Sequence, residues 1–167
     1  MGKVILPPRI EEVEGLVIFL AGPIQGAQFW QDEAIRIIQA LDPGTHIASP
    51  RRGVGMEGDF TEAMYAEQVD WETKYLRRAA RQGAVLFWLS REHVHIHERA
   101  YAQTSRFEIG EWKERHMRDG TKLVIGIEEG FSGARYIRHR FGQDCPEVPF
   151  VSSLREACEA AVRLARS

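Results

Sequence analysis

The chain has 167 residues, 44% of them hydrophobic and 28% charged, with a formal net charge of -2. Those values fit one globular domain spanning residues 1–167, large enough to bury a core without disulfide or metal staples. A balance this close to neutral gives no strong field for a nucleic-acid backbone, and Glu67, Asp70 and Glu72 interrupt the basic residues Arg77, Arg78 and Arg81.

Cys145 and Cys158 lie far apart without metal or redox spacing, so both read as ordinary thiols. The first fifteen residues do not read as a secretion signal, because prolines and acids follow a short apolar run. No apolar stretch reaches the length of a membrane span. A cytoplasmic location is expected by elimination.

Along the chain, short apolar runs alternate with longer amphipathic ones. Residues 16–20 (LVIFL) read as a buried strand. Residues 29–41 carry apolar side chains at helical spacing, ended by Asp42-Pro43-Gly44. Residues 46–48 form a short strand candidate, followed by a glycine-rich loop over 51–59. Residues 60–81 read as helical, with a break near 68–70. A second buried strand covers 84–89 (AVLFWL), and 91–103 is irregular and rich in histidine. Residues 104–118 read as a helix stopped by Asp119-Gly120. Residues 123–127 (LVIGI) form a third strong strand. A short helix over 132–140, a strand over 148–151 and a terminal helix over 154–165, capped by Ser152 or Ser153, complete the chain.

Strands that are apolar throughout and alternate with helices indicate a parallel sheet covered on both faces. Five of them predict an α/β, flavodoxin-like, doubly wound five-stranded parallel sheet with helices on both faces. Such sheets bind ligands beyond the carboxyl ends of their strands, near the switch in strand order. That rule selects the loops after Leu20, Ala48 and Leu89.

Four segments in that region carry chemistry. Gly22 and Pro23 directly follow the first long strand. There Gly22 permits close backbone approach and Pro23 fixes the turn; a bare strand-to-helix turn explains them equally. Asp70 reads as the N-cap of the helix running to Arg81, or as a carboxylate that hydrogen-bonds a heterocyclic base. Trp71 beside it reads as core or as a stacking surface. Glu108 sits in Thr104-Ser105-Arg106-Phe107-Glu108-Ile109-Gly110-Glu111-Trp112. Partial burial by Phe107, Trp112 and Trp88 raises its pKa, whereas Arg106 or the helix start keeps it ionised. An ionised, poorly solvated carboxylate suits attack on an anomeric carbon. The competing reading is a surface glutamate paired with Arg115 or Lys113. His93, His95 and His97 alternate as on a metal-binding strand, but a polar excursion fits them better, and neither a metal nor a cofactor is expected.

In this order the segments resemble the nucleoside 2-deoxyribosyltransferase family. The matching pieces are Phe19-Leu20-Ala21-Gly22-Pro23-Ile24, Asp70-Trp71-Glu72, the strand 84–90, and Phe107-Glu108-Ile109-Gly110-Glu111-Trp112. The resemblance implies a flavodoxin-like fold and double displacement at C1′ of a 2-deoxyribosyl group. It makes Glu108 the nucleophile, sets Asp70 where the family contacts the base, and gives Gly22 and Pro23 the pocket floor. The implied partner is a small nucleoside or nucleotide, and a homo-oligomer stays open. The chain departs from the family in lacking a carboxylate over 102–105 and in containing no asparagine. Ser105 and Arg106 fit a phosphate, so N-glycoside hydrolysis of a nucleotide remains an alternative to transfer, as does a binding module without catalysis.

Overall fold

The computed structural model describes residues 1–52 and 61–167. Among them, six parallel strands form one sheet: β1 (Val4–Ile5), β2 (Val17–Ala21), β3 (His46–Ala48), β4 (Gly83–Leu89), β5 (Leu123–Ile127) and β6 (Phe150–Val151). Their order is β1-β3-β2-β4-β5-β6. Without β1 this is the flavodoxin-like order, whose switch point lies between β2 and β4. The five expected strands are present. The correction is β1, a two-residue edge strand that pairs Val4 with Ile47 and Ile5 with Ala48.

The helices are α1 (Trp30–Leu41), α2 (Glu62–Arg81), α3 (Gln103–Asp119), α4 (Ala134–Asp144) and α5 (Leu154–Arg166). Successive side chains of a strand point to opposite faces, so a strand that is apolar throughout feeds two core halves. On one face Ile18, Leu20, Ile47 and Leu86 meet Trp30 and Ile38 of α1 and Cys158 and Ala161 of α5. On the other, Phe19, Val85, Phe87 and Ile125 meet Trp71 and Tyr75 of α2, Ile109 and Trp112 of α3, and Phe141 of α4.

The helix expected over 60–81 is unbroken from Glu62 to Arg81, and Thr61 caps it by accepting a hydrogen bond from the Met64 N–H at 3.2 Å. The break predicted near 68–70 does not occur, because the Gln68 side chain donates outward to Pro50 O and to Glu72 instead of competing for its own backbone. Asp70 is therefore an interior helix residue and not an N-cap. From Gly53 onward, the glycine-rich loop expected over 51–59 lies outside the described residues, as does Phe60. Both cysteines are buried free thiols. No helix among the described residues is long and apolar enough to cross a membrane.

Of the two candidate caps of α5, Ser153 forms a reciprocal capping box with Glu156. Ser153→Ala is expected to cost about 1 kcal/mol, lowering the melting temperature by roughly 2–4 °C. Ser152→Ala is expected to leave it unchanged. A thermal melt of the two variants decides between them.

Candidate active site at the sheet switch point

The turn after β2 is seated directly on β4. A Cβ on Gly22, whose φ is +151°, would lie 2.2 Å from the Trp88 carbonyl oxygen and 2.8 Å from the Trp30 ring. Only glycine fits there. The buried Pro23 then turns its carbonyl to the Trp30 indole N–H, which donates at 2.9 Å. Gly22 and Pro23 thus lie beside the C-terminal end of β4.

The long segment from β4 to α3 is fastened at several points. The backbone N–H groups of His93 and Val94 donate to the Gly26 carbonyl at 2.8 and 3.0 Å. Glu128, just after β5, accepts from Ser90 Oγ at 2.7 Å and from the Arg91 N–H at 2.9 Å. The Tyr101 hydroxyl donates toward the carbonyls of Ser90 and Arg91 at 2.6 and 2.9 Å. Burial and the neighbouring Glu128 and Glu92 charges hold that phenol protonated. Glu128 and Tyr101 escaped the sequence reading. The rule that singled out strand ends also covers the end of 123–127, and applying it there would have found Glu128.

Within the histidine-rich stretch, His93 Nε2 lies 3.5 Å from Glu128 Oε1 and His95 Nδ1 lies 3.0 Å from Glu92 Oε1. Among the described residues, no group of three or more side chains is placed to hold a metal ion.

Glu108 lies in the second turn of α3, on the same side of the sheet as α2. Burial, then repulsion from Glu72 and Glu111, pushes its carboxyl up to about 8. Glu72 of α2 is also raised by burial, against the opposing hydrogen bond that Gln68 donates at 2.8 Å. A carboxylate of α2 thus adds to burial in raising a carboxylate of α3.

The groups expected to keep Glu108 ionised are engaged elsewhere. Arg106 donates to Ser132 O and Oγ at 2.9 and 2.8 Å and lies over the Phe131 ring. Glu108 sits beyond the first helical turn, where the helix field fades. The surface-pair reading fails too: Arg115 pairs with Glu111 and Lys113 with Asp144. Phe107 is 75% exposed and Trp88 lies in the other core half, so neither supplies the expected cover.

A family model for nucleoside 2-deoxyribosyltransferase-like proteins matches residues 15–131. The chain belongs to this family. No curated protein matches it. The matched stretch takes in β2 to β5 and contains both Glu72 and Glu108.

Within this deoxyribosyltransferase-like chain, the remaining expected site residues divide. Ser105 is buried in the first turn of α3, and Arg106 is tied to the loop after β5. Asp70 is exposed, and the acids whose charge adds to burial in raising Glu108 are Glu72, two residues on, and Glu111. Trp71 is fully buried, packs against Phe19 and Tyr75, and donates to Arg9 O at 2.8 Å. This corrects its reading as a stacking surface: neither ring face is open to a ligand.

The raised carboxyl of Glu108 has a thermodynamic consequence. The folded state holds this proton above the ordinary carboxylate range, up to about 8. Over that window it binds more protons than the unfolded chain, so stability falls as pH rises. Glu108→Gln removes the proton linkage. The variant is expected to melt several degrees above the wild type at pH 8.5 and close to it at pH 4.5, in paired calorimetric scans.

Proposed function

We propose that this protein cleaves and re-forms the N-glycosidic bond of a deoxynucleoside through a covalent sugar ester on Glu108. The observation that carries the reading is the pair of raised carboxylates, Glu108 and Glu72, between α2 and α3. Like charges in a poorly solvated site are not both ionised at neutral pH, so the pair holds a shared proton.

That proton is what the leaving base requires. As the C1′–N bond breaks, its electron pair passes to the base nitrogen, which takes the proton from the pair. Glu108 is left ionised as positive charge develops at C1′, and one of its oxygens forms the new C1′–O bond. The second half reverses these steps: an incoming base attacks C1′, the ester bond breaks toward Glu108, and the proton lost by the incoming nitrogen returns to the pair. We assign the acid role to Glu72 with Glu108, in place of Asp70. The second carboxylate then comes from α2, in a chain that has none over 102–105. Gly22 and Pro23 form the floor, and a nucleoside is favoured over a nucleotide because Arg106, the residue read as a phosphate ligand, is held by Ser132 and Phe131.

Incubation with a deoxynucleoside and a second free base is expected to give base exchange, and mass spectrometry a deoxyribosyl adduct on Glu108. Glu108→Gln is expected to lose at least 1,000-fold in turnover, given typical losses for a covalent nucleophile. Full exchange by that variant would refute the assignment.

The pH profile tests the shared proton. Exchange is expected to decline above a pH of about 8, where the pair loses its proton. Glu72→Gln removes a repulsion that adds to burial in raising Glu108. It is expected to reduce kcat and to move the alkaline limb to lower pH.

A further inference from the structure

α4 carries cations where a helix gains nothing from them. Arg135 stands in its first turn, which holds no acid and whose dipole opposes positive charge. Arg138 and His139 follow three and four residues on, so all three share one face. Among the described residues, Arg135 and His139 have no hydrogen-bond or ion-pair partner. The Arg138 guanidinium lies only over the Phe150 ring, 5.6 Å from its centroid. The nearby acids are engaged: Asp144 pairs with Lys113 and Arg140, and Glu147 lies 2.6 Å from His116 Nε2.

The three basic side chains, with Gly142 and Gln143, line a shallow groove of about 750 Å³. It adjoins a cleft of about 420 Å³, and the two share Arg138 and Gly142. The cleft is largely apolar, formed by Pro146, Val148, Pro149 and Phe150 among others. Phe150 is fixed edge-on against Phe141, with ring centroids 5.2 Å apart. Gly142 keeps the passage between groove and cleft open, since a Cβ there would meet nothing within 4 Å. The sheet is parallel, so the residues entering β6 stand at the amino ends of its strands, opposite the rim where α3 begins. Groove and cleft also lie beyond residues 15–131, the stretch that the family model matches.

The lining defines the ligand. Two guanidinium groups beside an imidazole, with no free acid, complement a phosphate through charge-assisted N–H donors. An apolar cleft within the size range of small-molecule sites, about 300–1,000 Å³, suits a planar ring. We propose that the outer face of α4 and the entry to β6 form a second ligand site, for a small molecule that carries a phosphate on a planar ring system. The site uses no residue of the deoxyribosyl-transfer reading and stands or falls apart from it.

The test is an NMR titration of the ¹⁵N-labelled full chain with adenosine 5′-monophosphate, adenosine and inorganic phosphate, which needs no turnover. The monophosphate is expected to shift the amides of residues 135–151 saturably. It is expected to bind about tenfold more tightly than either other probe, the worth of one charge-assisted bond. The double variant Arg135→Ala/Arg138→Ala, and separately Gly142→Leu, which fills the passage, are each expected to weaken that binding about tenfold. Neither is expected to melt below the wild type, because one removes like charges from a helix face and the other replaces a glycine within a helix. Glu108→Gln is expected to bind the monophosphate as the wild type does, which separates this site from the catalytic one. Shifts confined to the surroundings of Glu108, loss of binding in Glu108→Gln, equal affinity for adenosine or phosphate, or undiminished binding in both α4 variants would each overturn the proposal. Tighter binding of a short single-stranded oligonucleotide than of the monophosphate would also overturn it, by making this face a nucleic-acid surface.

Discussion

Glu72 and Glu108 come from separate helices, and burial raises the carboxyl of each, with the charge of Glu72 adding to the rise of Glu108. Each would be more stable apart, so the arrangement persists only because the rest of the fold leaves it no alternative. α2 is fixed by Trp71 and Tyr75 against the sheet, and α3 by Ile109 and Trp112. The hydrogen bond from Gln68 then sets the direction of Glu72. Electrostatic comfort is given up here, in exchange for a carboxyl pushed up to about 8.

The layered architecture was legible in the sequence because β2, β4 and β5 are apolar on both faces, a pattern that only a doubly covered sheet produces. β1 was not legible: two residues show no periodicity, and their strand character comes from pairing with β3. The site was legible in part. Glu108 stood out through its segment, but the choice between Asp70 and Glu72 depends on the rotational phase of α2. A helix expected to break at 68–70 gives the wrong phase for the residues that follow it. An unbroken α2 turns Gln68 and Glu72, four residues apart, onto one side and sends Asp70 to solvent.

The electrostatics of Glu108 were the least legible feature. Arg106, two residues away in sequence, reads as a natural counter-charge, yet it is captured by Ser132 and Phe131 from beyond β5. Long-range partners decide such pairings, and no local pattern announces them. The same holds for Gln31, which sequence alone leaves as an ordinary polar residue of an amphipathic helix, although the structure buries it completely.

The fastening of the segment between β4 and α3 also bears on how such a protein can diverge. Its contacts reach Gly26 on one side and Glu128 on the other, so three connections of the sheet are laced into one unit. Lengthening or exchanging any one of them alone would strand the hydrogen bonds of the other two. Variation in this rim therefore has to arrive as a coordinated set, and a graft of the histidine-rich segment into a related scaffold would need to carry the equivalents of Gly26 and Glu128 with it.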